Sequence, residues 1–196
     1  MKTYGLTGGI ASGKSTALRI FQDLGAEIVD TDQLARDVIA PGTEGALALE
    51  EAIGASYFTD GALDRKALRD ALYTDPDLKQ TVESIIHPRV ASAVSDWRTT
   101  ESDAPYRILC SPLLLETSKP ASVDAVIVLD VPTEVQVMRA AQRDDQSVEH
   151  IQAIIAAQMD RTARLAQADF ILDNTGSESE LNARIHALHR TLLNDD

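Results

Sequence analysis

Gly8, Gly13, Lys14 and Ser15 stand in the order glycine, four residues, glycine, lysine, serine within GGIASGKST, residues 8–16. This spacing suits phosphate. Gly8, Gly9 and Gly13 lack a Cβ and tolerate positive φ, so backbone N–H groups can close around phosphate oxygens. A helix starting near Gly13 would aim its unsatisfied N–H groups and positive dipole end at the same anion, so Ala11, Ser12, Gly13, Lys14, Ser15 and Thr16 are the expected cradle. Lys14 adds a mobile charge for the β and γ phosphates of a nucleotide, and the Ser15 hydroxyl is a hard ligand for phosphate-bound Mg²⁺. A glycine turn that merely caps a helix is the alternative, and the flanking strand and helix patterns weigh against it.

Two further sets of side chains could complete a phosphoryl transfer. Asp30 and Asp32 follow an apolar run. A kinase acting on an alcohol needs such a carboxylate to orient the hydroxyl and accept its proton. Their spacing would place both on one side of an extended segment, although either could instead cap a helix beginning at Gln33. Arg139 and Arg143 lie four apart on an expected helix, with Arg161 and Arg164 beyond. Guanidinium groups clustered there would suit the charge building on a transferring phosphoryl group, within a lid that excludes water. The alternative is a solvated face paired with Asp144, Asp145 and Glu149. His87 precedes Pro88, where it could mark a break between two helices or touch a substrate. The four histidines show no metal-ligand spacing. Asn174-Thr175-Gly176-Ser177 lacks the lysine and aspartate of a guanine-specific box, which argues against a GTPase switch.

The elements that must carry these groups follow from periodicity. Short apolar runs at Lys2 to Leu6, Ala26 to Asp30, Tyr106 to Cys110, Ala125 to Asp130 and Ala168 to Leu172 read as buried strands. Helices between them favour a parallel sheet, whose ligands gather beyond the carboxyl ends of the strands. Leu18, Phe21 and Leu24 form one helical stripe ended by Gly25, and Leu181, Ile185, Leu188 and Leu192 form another. Between Pro41 and Pro105 the pattern is helical, over Glu44 to Ile53, Asp64 to Tyr73 and Asp75 to Trp97, with no convincing buried strand. Thr133 and Gln136 fit a capping box for a helix that carries Val135 and Met138 inward, and a long helix is expected from Val148 to Ala166.

Composition sets outer bounds. The 196 residues are 44% apolar and carry a net charge of −13. Such a chain can bury one sizeable core, and it lacks the net basic face that nucleic acid or an anionic membrane would require. The single Cys110 excludes an internal disulfide and reads as a small buried hydrophobe. No apolar span of membrane-crossing length occurs, so a soluble, cytoplasmic protein is expected.

Taken in order, TGGIASGKS, VDTDQLAR at Val29 to Arg36, His87-Pro88, PLLLE at Pro112 to Glu116, Val131-Pro132 with Gln136, Arg139 and Arg143, Gln158, and ADFILDNTG at Ala168 to Gly176 resemble the dephospho-coenzyme A kinases. The resemblance spans nearly the whole chain. It implies a P-loop NTPase fold of the α/β class, with a five-stranded parallel sheet flanked by helices, a helical substrate-binding insertion and a helical lid. It implies core segments at 1–40, 106–133 and 168–196, the insertion at 41–105 and the lid at 134–167. It further implies transfer of the γ phosphoryl of ATP, with Mg²⁺, to the ribose 3′-hydroxyl of dephospho-CoA. Asp32 matches the catalytic base, Arg36 the substrate site, Arg139 and Arg143 the lid arginines, and Asn174 and Gly176 the loop near adenine. Leu113 and Leu114 would contact the acceptor nucleotide, and His87 is a further candidate contact. Ile154 departs from the family, where many members place an arginine. Another small-molecule kinase of the same fold, or a P-loop regulatory protein, is the competing reading. A monomer or small homo-oligomer is expected.

Overall fold

The computed structural model describes residues 1–72, 74–116, 123–144 and 147–194. In chain order its elements begin with β1 (Thr3–Thr7), α1 (Lys14–Asp23), β2 (Glu27–Asp30), α2 (Thr31–Asp37) and α3 (Glu44–Ile53). Then come β3 (Phe58–Thr59), β4 (Ala62–Leu63), α4 (Arg65–Leu72) and α5 (Pro76–Thr99). The remainder is β5 (Arg107–Cys110), β6 (Ala125–Asp130), α6 (Thr133–Asp144), α7 (Val148–Ala157), α8 (Arg161–Leu165), β7 (Phe170–Asp173) and α9 (Glu178–Leu192). They fall into two compact units, Met1–Asp30 with Glu101–Asp196, and Thr31–Thr100.

The first unit holds a five-stranded sheet in the order β2-β5-β1-β6-β7 with every pairing parallel. Its strands are continuous apolar runs because both faces are covered, and β1 and β5 are buried throughout. The register pairs Leu6 with Cys110, Cys110 with Asp30, Thr7 with Val128 and Asp130 with Asp173. All five carboxyl ends therefore share one rim. Tyr4, Phe21, Tyr106, Ile108, Ile127 and Leu129 fill the core, with Tyr4 meeting Tyr106 edge to face at 5.6 Å. The expected stripe of α9 joins them, all four of its residues being buried. Cys110 is buried as a small apolar residue. Where β2 and β5 pair, the Arg107 Nε donates to Glu27 at 2.8 Å and fixes the register of that edge. Gly25, at φ 89°, ends α1 where a Cβ would be strained.

The second unit packs α2, α3, α4 and α5 around Ile39, Leu49, Leu68 and Val82. Its helices lie where periodicity places them, and Tyr73, the expected end of one, lies outside the described residues. Two features differ from expectation. A two-stranded hairpin, β3 with β4, turns on Asp60 and Gly61 at φ 51° and 75°. Its strands are too short for any alternation to be read. Of the two readings of His87, the helix break is ruled out, since α5 runs through Pro88. Val82 and Val90, buried on either side of the proline, hold the helix together against the loss of one backbone hydrogen bond.

Two expectations for α6 to α8 are also corrected. Met138 is 52% exposed, whereas Gln136 and Ala140 are the buried positions of α6, so the inward stripe includes a polar residue that apolar periodicity cannot flag. Among the described residues Thr133 forms no capping box with Gln136. The long helix expected from Val148 to Ala166 is interrupted at residues 158–160, and Asp160 caps α8 by accepting from Thr162 and Ala163 N–H at 2.9 and 3.1 Å. No helix among the described residues is long and apolar enough to cross a membrane.

Candidate active site

β1 reaches the rim at Thr7, and residues 8–13 turn into α1, whose first residue is Lys14. No side chain caps this helix, so its first-turn N–H groups are left for an anion. Gly13 sits at φ 97° and Ala11 at φ 54°. Ala11 in the left-handed region costs about 1–2 kcal/mol. Of the three loop glycines Gly13 alone uses positive φ; Gly8 and Gly9 serve through the Cβ they lack. A Cβ on Gly8 would stand 2.6 Å from the Leu129 carbonyl oxygen, and one on Gly9 would collide with the Gln136 amide. Lys14 Nζ donates to the carbonyls of Gly8 and Gly9 at 2.8 and 3.1 Å. The Ser12 hydroxyl is fully buried without a protein partner, and Ser15 is exposed in the first helical turn. An uncapped helix start, a hollow that a Cβ would fill and an orphaned buried hydroxyl fit a bound phosphate. Among the described residues no cluster of three or more His, Cys, Asp or Glu could hold a metal. Mg²⁺ would be suited to such a place, since it is ordinarily carried by phosphates with one or two protein oxygens, and the exposed Ser15 hydroxyl is an oxygen of that kind.

Distant segments bolt the loop in place. Asn174 is buried just beyond β7, and its Nδ2 donates to the Ser12 carbonyl at 2.8 Å. Its side chain is therefore committed to the loop, and Gly13 must be glycine partly because a Cβ would strike it. Gly176 lies where a Cβ would crowd the Glu180 carboxylate that closes the capping box of α9. Gln158, in the break between α7 and α8, accepts from Ile10 N–H at 3.0 Å. Glu116, after β5, accepts from Met159 N–H at 3.0 Å. The sequence singled out Gln158 only as a motif residue; a contact spanning so much chain leaves no local signal.

The four arginines separate. Arg161 forms a bidentate pair with Asp130 at the end of β6, Nε and Nη2 donating at 2.8 and 2.6 Å, and this hydrogen-bonded carboxylate pushes the guanidinium pKa up. Arg164 is buried beside Gly9. Arg139 is half-buried and Arg143 exposed, one turn apart on α6. Of the acids that could pair with them, Asp145 lies outside the described residues, and Glu149 accepts hydrogen bonds from its own backbone N–H and from Ser147, which hold its carboxyl below the usual value. On the same rim, burial works to raise the Asp173 carboxyl, but hydrogen bonds from Thr175 and the Arg184 cation outweigh it and keep the group ionised below the usual range.

The segment after β5 divides its two leucines. Leu114 is fully buried and packs over Gly5 of β1, where a Cβ would strike it, so its side chain serves the core rather than a ligand. Leu113 is 48% exposed.

In the second unit Asp32 lies exposed in the first turn of α2, and Arg36 lies one turn later. Asp30 ends β2 and Asp32 is helical, so the two do not share one extended segment as expected; the helix begins at Thr31, not Gln33. Arg36, Arg65 and Arg69 border a cavity of about 560 Å³ whose apolar lining includes Leu68 and Val82. His87 is exposed on α5.

Comparison with known proteins agrees with this arrangement. The family model for dephospho-CoA kinase matches residues 3–180. The dephospho-CoA kinase of Idiomarina loihiensis is 41% identical over 190 residues, covering 96% of this chain and 94% of that one. The crystal structure of TT1252 from Thermus thermophilus superposes with a TM-score of 0.80 at 30% identity, over 97% of both chains. A dephospho-CoA kinase from Campylobacter jejuni shares the fold with a TM-score of 0.66 at 24% identity, again over 97% of both chains. With a phosphate loop at the rim of a parallel sheet and a match across nearly its whole length, the chain belongs to the dephospho-CoA kinase family.

Proposed function

We propose that this protein transfers the γ phosphoryl group of ATP to the ribose 3′-hydroxyl of dephospho-CoA, giving CoA and ADP in the cytoplasm. The observation that carries the reading is the uncapped Gly-Lys-Ser loop at the sheet rim in a chain that matches the family over residues 3–180. The loop and Lys14 hold the triphosphate. When bound, Mg²⁺ on Ser15 supplies neutralisation of the β and γ oxygens. Asp32, two residues beyond the end of β2, accepts the proton of the acceptor hydroxyl. The bond from that oxygen to the γ phosphorus forms as the bond to the β,γ-bridging oxygen breaks, and the electron pair leaves with ADP. Arg139 and Arg143 close over the phosphoryl group as lid cations. Residues 174–176 pass the adenine of ATP.

On the acceptor side, Arg36, Arg65 and Arg69 above an apolar floor suit a ligand with a diphosphate and a long flexible arm, which dephospho-CoA is. Leu113 offers an exposed apolar contact, and His87 a polar one on α5. The helical segment 41–105 is thus the substrate-binding part, and 134–167 the lid. Mass spectrometry of dephospho-CoA incubated with ATP, Mg²⁺ and the protein tests the reading, with AMP, CMP and uridine as parallel acceptors. The expected result is one added phosphoryl group on dephospho-CoA alone; transfer confined to a nucleoside or its monophosphate would replace it with the related kinase activity.

A further inference from the structure

Two cationic side chains are buried among the described residues, Arg107 at 3% exposure and Arg164 at 8%. Their surroundings differ. Arg107 faces the carboxylate of Glu27, whereas the hydrogen bond of Arg164 runs from Nη2 to the neutral carbonyl of Met159, at 2.6 Å. No ion pair to Arg164 occurs among the described residues. A buried guanidinium satisfied by one carbonyl is costly, since it has lost its hydration and gained no counter-charge. Such a group is completed by an anion.

Its position says which anion. Nη1 lies 3.0 Å from where a Cβ of Gly9 would stand, and Gly9 is part of the turn whose carbonyls hold Lys14 Nζ. Guanidinium and ammonium thus approach one dipeptide of the phosphate loop. Beside Arg164 is a cavity of about 250 Å³, lined in part by Thr133, Gln136 and Gln158. The Asp160 carboxylate is also on that lining but is engaged by the first N–H groups of α8, so the two amides and the Arg164 cation are what the cavity offers a multiply charged oxyanion. Arg161, one turn earlier in α8, is spent on Asp130. Arg164 has donors to spare, because a guanidinium carries five N–H groups.

We propose that Arg164 is a catalytic residue, contacting the γ phosphoryl group of the bound nucleoside triphosphate and stabilising the charge that develops as it is transferred. This rests on the kinase reading given above. Arg164 is preset. The Asp160 cap fixes the start of α8, and the bond from Ile10 N–H to Gln158 ties the preceding turn to the loop. A donor already in place does not have to reorganise as charge develops, which makes it effective.

Arg164→Ala and Arg164→Lys test the proposal, with the affinities for ADP and for the non-transferable β,γ-imido analogue of ATP measured by calorimetry alongside kcat. A γ contact predicts a kcat lower by about 10²–10³, ADP affinity within about threefold of the unaltered protein, and analogue affinity reduced about tenfold or more, as expected for one charge-assisted hydrogen bond. A guanidinium that only braces the turn at Met159 would weaken ADP and the analogue equally. That result, or a kcat within about threefold of the unaltered protein, overturns the proposal. Should the alanine variant fail to fold, the lysine variant decides by the same two affinities, because it keeps the charge but lacks the planar fork by which a guanidinium reaches two separate acceptors at once. If the unaltered protein proves inert toward dephospho-CoA, the proposed function fails, and the ratio of the two affinities still scores Arg164.

Discussion

Asp32 is the residue on which the proposed chemistry turns. It is exposed in the first turn of α2, where its charge also favours the helix start. Replacing it with asparagine preserves shape and hydrogen-bonding capacity but removes the ability to accept a proton. We expect Asp32→Asn to lower kcat by about 10²–10⁴ while ATP affinity, measured by calorimetry, stays within about threefold. Turnover near that of the unaltered protein would remove this carboxylate from the mechanism. The loop residues obey a different logic, because the Ser12 carbonyl and Ile10 N–H are held by Asn174 and Gln158 from far along the chain. Their function is shape before charge.

Among the elements, α9 shows how packing sets a titration. Tyr106, just before β5, and His189 on α9 meet with the hydroxyl 2.7 Å from Nδ1. Burial pushes the Tyr106 pKa up, so its hydroxyl stays protonated beside the ring. Burial first, then the nearby His186 and Arg190, push the His189 pKa below its usual value. Folding therefore favours the neutral ring. Its contribution is fully present above the unfolded value of about 6.5 and is lost as pH falls through the lower folded value. Thermal melts at pH 7.5 and 5.5 should show a smaller acid-induced drop for His189→Gln than for the unaltered protein. An equal drop would mean that other groups carry the acid sensitivity.

For the molecule as a whole, a net charge of −13 sets the long-range field, and some of its 18 lysines and arginines stand where anions are expected. Arg36, Arg65 and Arg69 border one cavity, and Arg164 lies beside the phosphate loop. Small anionic substrates can be bound by such local clusters, whereas a polyanion would meet the repulsion of the remaining surface. Passed over immobilised heparin at low salt, the protein should emerge unretained, and it should bind an anion exchanger tightly. Retention on heparin would show a basic face that the charge count hides.

Local pattern carried most of the architecture. Five apolar runs became the five strands within a residue or two, and Gly25, the α9 stripe and the Gly-Lys-Ser turn lie where their spacing puts them. Each of those signals is contained within a few neighbouring residues, so each could be read before any fold was known. The unbroken α5, the interrupted α7 and α8, the burial of Leu114 and Gln136, and the separation of Arg161 from Arg164 were not legible in this way. Two arginines three residues apart look alike along a chain. One met a carboxylate at the end of β6 and the other a glycine in the first loop, contacts between segments far apart in sequence, and such contacts exist only once the strands have paired and packing has set which groups share a buried space.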